Sequence, residues 1–160
     1  MDIKPAQETD IIDILYLWKR EMGPFTSQEG PAGPPYDSLR KSIARGRLFI
    51  MKHHRISIGT FSVGAGPPDG QTAGGRLEIS GVIIASYWIN RQTIEEVLRF
   101  SKNMALEQNH HTLVFHIPSQ HEKLNTFYRD QGLDYTGQYT PADSAIPFNL
   151  YQTQLHPDPA

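Results

Sequence analysis

The chain has 160 residues, 38% of them hydrophobic and 20% charged, with a formal net charge of −2. That length allows one domain with a real core, and the charge gives no bulk attraction to nucleic acid or to an anionic membrane. There is no cysteine, which excludes disulfides, thiolate metal sites and a cysteine nucleophile.

No apolar run approaches the roughly 20 residues that span a bilayer, and Met1-Asp2-Ile3-Lys4-Pro5 does not read as a signal peptide, so a cytoplasmic location is the default expectation. Ile3 lies in a short strand ended by Pro5. Thr9 or Asp10 caps a helix to about Met22, with Ile11, Leu15, Trp18 and Met22 in its apolar set and Gly23-Pro24 as its stop. Residues 23–35, rich in Gly and Pro, read as a long loop, and loops of that length are usually functional. Asp37 or Ser38 starts a second helix to Arg45, closed by Gly46. Two strands follow, Leu48 to Met51 and Ile56 to Val63, joined by the basic turn His53-His54-Arg55, with a bulge expected near Gly59. Residues 64–75 form a second Gly-rich loop. Leu77 to Ser86 is a long strand whose continuous apolar end, Val82-Ile83-Ile84-Ala85, predicts a sheet covered on both faces. Thr93 and Glu96 fit a capping box that opens a third helix with Ile94, Val97, Leu98, Ser101, Met104 and Ala105 on one side. Thr112 to Ile117 is a buried strand. The chain closes with a strand from Ile146 to Leu155, interrupted by Pro147, and a frayed tail at 156–160. The order β-α-α-β-β-β-α-β-α-β-β mixes hairpins with helical crossovers. It predicts one α/β domain over residues 1–155, with a mixed, mostly antiparallel sheet flanked by helices.

The last helix carries the most specific pattern. Ser119 and Glu122 fit the S-x-x-E capping box, Leu124, Phe127 and Tyr128 share one face, and Gly132 suits a left-handed stop, after which a new extended segment follows. The pattern F-Y-x-x-x-G-[apolar]-x-x-x-G after a strand resembles the C-terminal motif of the GNAT-type acyl-CoA N-acyltransferase superfamily, whose element order the whole chain also shares. The resemblance implies an enzyme that moves an acetyl group from acetyl-CoA directly to an amine. Tyr128 would hold the place of the family tyrosine that faces the thioester sulfur, with Leu133 where a Phe is usual. In the family, coenzyme A is gripped where the fourth strand meets the third helix, by a loop of pattern [RQ]-x-x-G-x-[GA]. Here Arg91 matches the arginine, while Gln92 and Ile94 stand where glycines are expected. Their Cβ atoms would crowd a diphosphate, and Glu95 and Glu96 would repel one. The resemblance assigns Ile84, Ser86, Arg91, Gln92, Thr93, Ile94 and His121 to the cofactor. The N–H of Ile84 or a near neighbour would polarise the thioester carbonyl, and His121 stands where the family often has an asparagine.

Acyl transfer to an amine needs a neutral amine, donors for the developing oxyanion and a proton for the thiolate. Glu78 lies six residues before Ile84, a spacing similar to that of the glutamate base in histone-acetylating members. A carboxylate among Leu77, Ile79 and Val82 would be partly desolvated, as suits a base. Tyr128 is the candidate acid. Seven histidines are present, but His53-His54 and His110-His111 are adjacent pairs that diverge, and no H-x-x-x-H or H-x-H occurs, so no metal is expected. There is no P-loop and no G-x-S-x-G elbow. The acceptor, a small-molecule or peptide amine, would lie between the loops at 23–35 and 64–75. Two other readings stay open from sequence: a non-catalytic binding protein on the same fold, and a nucleobase-modifying member of the type found in phages, against which the acidic balance counts. A homodimer through the C-terminal strand edge is compatible with the resemblance.

Overall fold

A computed structural model describes residues 1–22, 36–65, 75–142 and 146–155. The expected loops at 23–35 and 64–75 lie largely, and the expected tail wholly, outside the described residues. The elements are β1 (Asp2–Pro5), α1 (Ile11–Met22), α2 (Tyr36–Ala44), β2 (Leu48–His53), β3 (Ile56–Ala65), β4 (Arg76–Ile84), α3 (Arg91–Glu107), β5 (Thr112–Pro118), α4 (Glu122–Asp130), β6 (Asp134–Tyr139) and β7 (Phe148–Gln154). A 3-10 turn at Glu8–Asp10 leads into α1 and another at Ser86–Trp88 follows β4. The expected element order is therefore found.

The strands form one seven-stranded sheet in the order β1-β2-β3-β4-β5-β7-β6. Every neighbouring pair is antiparallel except β4 and β5, which the α3 crossover makes parallel. Helices cover both faces. α3 and α4 bury Val97, Leu98, Ala105, Leu124 and Tyr128 against Phe61, Leu77, Ile79, Ile84, Leu113, Phe115 and Tyr151. On the other face α1 and α2 pack Ile11, Ile14 and Leu39 onto Leu48 and Ile50, and Leu17 and Met22 onto Ile83. Each strand supplies alternate residues to the two layers, which is why β2 reads as an unbroken apolar run.

Two helix starts differ from expectation. α3 is capped by Asn90, whose side chain accepts from the Thr93 N–H at 2.9 Å. Asn outranks Thr as an N-cap and stands where the chain leaves extended geometry, so Thr93 becomes the third helical residue. α4 begins at Glu122 with His121 as N-cap, because the His121 N–H closes a turn onto the Pro118 carbonyl and Ser119 is spent in that turn.

Three bulges shape the sheet. The first leaves Ile58 unpaired between Ser57 and Gly59, beside the expected position. The second sets Gly81 and Val82 of β4 opposite Phe61 alone, with Gly81 at φ +61, a conformation that costs glycine little. The third leaves Thr136 unpaired in β6.

Candidate functional site

β4 and β5 pair only from Arg76↔Thr112 to Ile79↔Phe115. Beyond that, β4 passes through its Gly81 bulge to Ile84 and β5 runs on to Pro118 without pairing to it. The two strands part in the middle of the sheet. The Ala85 N–H donates to the Ile58 carbonyl at 2.8 Å. Backbone donors alternate along a strand, so the Ile84 N–H points the other way, toward the side that β5 has left.

On the α3/α4 face, Tyr128 covers the place where the gap opens. Its ring lies 4.9 Å from that of Phe115 and 6.2 Å from that of Tyr151, and it is fully buried. The neighbouring polar groups are saturated. Asn125 donates to the Pro118 carbonyl at 2.9 Å and to the His121 carbonyl at 2.7 Å. Its Oδ1 accepts from the Tyr151 hydroxyl at 2.6 Å and from Asn149 at 2.8 Å. In this cluster the Tyr128 hydroxyl is the group left without a hydrogen-bond partner; elsewhere among the described residues Arg76 Nε and His110 Nδ1 are also buried without one. Burial pushes this phenol far above its ordinary range, so it stays protonated. A buried unpaired hydroxyl costs about 1–3 kcal/mol, which makes it the natural place to look for a ligand.

Glu78 is buried, but not among Leu77 and Ile79, which face α3 and α4. Alternation turns it to the α1/α2 side. There its Oε1 is 3.0 Å from His116 Nε2 on β5 and 3.5 Å from an Arg76 nitrogen. His116 Nδ1 is in turn 2.7 Å from the Tyr139 hydroxyl on β6. The expected base and acid thus stand on opposite faces of the sheet, either side of the gap. His116, Tyr139 and Asn125 were not singled out from sequence. The available signal was a polar residue inside an apolar run: His116 between Phe115 and Ile117, and Asn125 beside Leu124 on the stripe of Tyr128.

The expected cofactor residues divide. Arg91 is exposed and paired with Glu95 at 2.8 Å, while Glu96 pairs with Arg99 at 2.9 Å. Both carboxylates that would repel an anion at this helix start therefore have cationic partners. Gln92 is exposed beside Arg91. Thr93 and Ile94 point into the core, at 2% and 0% exposure. The Ile94 side chain therefore does not crowd the helix start, contrary to expectation. The Ser86 hydroxyl is committed to Glu21 at 2.6 Å, and the Ser86 carbonyl accepts from Lys123 of α4 at 3.3 Å. Half-buried His121 accepts the Leu124 N–H on Nδ1 at 3.3 Å, and burial chiefly lowers its pKa, keeping the ring neutral for that role.

A cavity of about 280 Å3 lies on the α1/α2 side of the gap. Gly81, Val82 and Ile83 border it on one flank and Pro118, Ile146 and Phe148 on the other, under Trp18 and Met22. A larger depression of about 500 Å3, between α1 and Tyr87-Trp88, contains none of the expected site residues. Among the described residues no group of His, Cys, Asp or Glu is arranged to hold a metal ion, and no helix is long and apolar enough to cross a membrane.

Comparison of the sequence with protein-family models and with curated proteins finds no match. Comparison of the fold finds many. A ribosomal-protein-alanine N-acetyltransferase from Brucella melitensis is 17% identical with a TM-score of 0.69, over 97% of this chain and 100% of that one. A Salmonella typhimurium structure, assigned as an acetyltransferase with its cofactor acetyl-CoA, is 17% identical with a TM-score of 0.68, over 100% and 96% of the two chains. A GNAT-family acetyltransferase from Listeria monocytogenes is 15% identical with a TM-score of 0.67, over 96% and 94%. The described residues have the fold of these GNAT acetyltransferases.

Proposed function

We propose that the protein is an N-acyltransferase that moves an acetyl group from acetyl-CoA directly to an amine. The observation that carries this reading is the Tyr128 hydroxyl, buried without a partner at the mouth of the β4/β5 gap, where every neighbouring polar group is satisfied. The fold it shares with acetyltransferases, one of them with acetyl-CoA, supports the same reading. Bound along the gap, acetyl-CoA would supply an acyl group activated as a thioester. The Ile84 N–H is aimed to polarise the acyl carbonyl. The protonated Tyr128 phenol donates a hydrogen bond to the departing sulfur. Arg91 and the first free N–H groups of α3, at Arg91 and Gln92, hold the pyrophosphate end. His121 lies at the start of α4 beside the cofactor arm. Ser86, Thr93 and Ile94 serve the fold and act on the cofactor only by setting this backbone.

The acceptor amine approaches from the other face, through the cavity beside Gly81 and Phe148. That lining is apolar apart from Thr60 and Ser62, so the acceptor carries an aliphatic or aromatic group next to its amine, whether as a small molecule or at the end of a peptide. Glu78 supplies the negative charge that draws a proton off the amine. The test is a thermal-shift titration with acetyl-CoA, followed by transfer assays on apolar amines with free thiol as the readout. Cofactor at about 100-fold its dissociation constant should stabilise the fold by roughly 2.7 kcal/mol. No shift at millimolar acetyl-CoA, together with no thiol release, would leave the protein as a binding module on an acetyltransferase fold.

A further inference from the structure

We infer that Tyr139, His116 and Glu78 form a relay that takes the proton from the acceptor amine, with Tyr139 the residue that meets the amine and His116 the group that stores the proton. This rests on the acyl-transfer reading above.

The direction of the relay follows link by link. The Glu78 carboxylate can only accept, so His116 Nε2, 3.0 Å away, carries a hydrogen. Nδ1 of a neutral ring must then accept, and the group 2.7 Å from it is the Tyr139 hydroxyl, which therefore donates. Arg76, 3.5 Å from the same Glu78 oxygen, completes the set. The chain runs inward: Tyr139 is 36% exposed, while His116 and Glu78 are each 7% exposed. Buried ionisable groups are costly unless they are fully paired, and here each one is bonded to the next.

Its outer end adjoins the acceptor cavity through Phe148 rather than lining it. Tyr139 packs on Phe148 at 6.0 Å between ring centroids, and Phe148 lines the cavity. Pro118, two residues beyond His116 on the same side of β5, lines it as well. Strict alternation along β6 would have put Tyr139 on the face of Tyr135, against Tyr151. The unpaired Thr136 shifts the register by one and turns Tyr139 to the face of His116. The bulge aims this hydroxyl.

The proton balance is simple. An ammonium N–H bond breaks as its proton passes to the Tyr139 oxygen, while the Tyr139 O–H proton passes to His116 Nδ1. The result is a neutral amine, an intact phenol and an imidazolium held by the Glu78 carboxylate. After transfer the proton returns to water by the same path. In this relay Glu78 acts through His116, with Oε1 hydrogen-bonded to Nε2 and 3.5 Å from an Arg76 nitrogen. The charged or titratable groups that face the ring are Glu78 and Arg76 from β4 and Tyr139 from β6. From β7 the facing residues are Phe148, Leu150 and Gln152, none of which titrates. Among the described residues no charged side chain of α1 or α2 bonds to the ring.

Two measurements test the relay. The first needs no cofactor: nitrogen NMR of the free protein should find the His116 proton on Nε2 and none on Nδ1, and Tyr139→Phe should shift the Nδ1 resonance. A proton on Nδ1 would overturn the relay. The second follows acetyl transfer from acetyl-CoA to phenethylamine as the acceptor probe. Tyr139→Phe should lower kcat about 100-fold with the affinity for acetyl-CoA unchanged. His116→Gln should lower it similarly, again with the affinity for acetyl-CoA unchanged. Tyr139 is at the surface, so its Phe variant stays informative if the His116 variant does not fold. Full turnover in Tyr139→Phe sinks the relay alone. A wild-type protein that neither binds acetyl-CoA nor acetylates any amine sinks the acyl-transfer reading, and the relay with it.

Discussion

Replacing Tyr128 with Phe separates a chemical role from a packing role at one atom. The ring is fully buried against Phe115 and Tyr151, and Phe keeps those contacts. The hydroxyl that is lost has no hydrogen-bond partner among the described residues. Removing a buried, unpaired hydroxyl ends a desolvation cost of about 1–3 kcal/mol and leaves a void of one oxygen, so the variant should be as stable as the parent or more so. In a chain of this size about 1 kcal/mol corresponds to roughly 2–4 °C in Tm. Acetyl transfer should fall by about 10²–10⁴-fold, the usual worth of a positioned general acid, with little change in acetyl-CoA affinity. Denaturant unfolding and a thiol-release assay on the same preparation decide the matter. A variant that loses about 1 kcal/mol yet turns over normally would show that the hydroxyl is structural.

Further outcomes follow from the helix starts and the buried charges. Arg91→Ala should weaken acetyl-CoA without lowering Tm, whereas Ile94→Gly should cost about 3–6 kcal/mol from the lost core side chain and the helical glycine, so unfolding curves of the two variants should diverge sharply. His121→Asn keeps an N-cap for Leu124 and removes a titrating one. Because the folded pKa of His121 lies below its unfolded value near 6.5, its contribution is complete above that pH and fades as pH falls through the folded value. The Asn variant should therefore lose less stability on acidification, read as Tm between pH 7 and pH 5. Asp10 is desolvated by burial, but the Gln7 N–H and Lys52, at 2.9 Å, outweigh this and lower its pKa. Asp10→Asn should thus destabilise at neutral pH by about 1–3 kcal/mol, and the difference should shrink as pH drops below about 4. Equal stability loss at every pH would refute that assignment.

The element order was legible because hydrophobic period, caps and Gly/Pro punctuation agree along most of the chain. Tyr128 was legible for the same reason: a capped helix, a three-residue apolar stripe and Gly132 fix where its ring points. The surroundings of Glu78 were not. Its sequence neighbours Leu77 and Ile79 are apolar, but in a strand they face the opposite layer, and its true neighbour, His116, comes from 38 residues away. The cofactor loop misled in a similar way. Ile94 matches a glycine position on paper, yet Asn90 starts the helix early enough to rotate Ile94 into the core. The Tyr139 site depends on the bulge at Thr136, for which the only hint in sequence is the adjacent Gly137. Register slips of this kind belong to strand pairing rather than to the local chain.

The short β4/β5 ladder also has a mechanical meaning. Strands β1 to β4 come from residues 2–84 and strands β5 to β7 from residues 112–154, so the sheet consists of two consecutive leaves of the chain. Among the described residues the register from Arg76↔Thr112 to Ile79↔Phe115 is the sheet pairing that staples one leaf to the other. The Lys123 to Ser86 carbonyl bond adds a tie across the open end, and the His116 to Glu78 bond another where it begins. The line along which the strands of the two leaves are least paired therefore coincides with the one in which chemistry is proposed. A molecule lying in it acts as a splint, and stiffening of the free protein along that line should accompany binding. Substitutions that lengthen or shorten the staple would alter how readily the leaves part without touching any group that reacts.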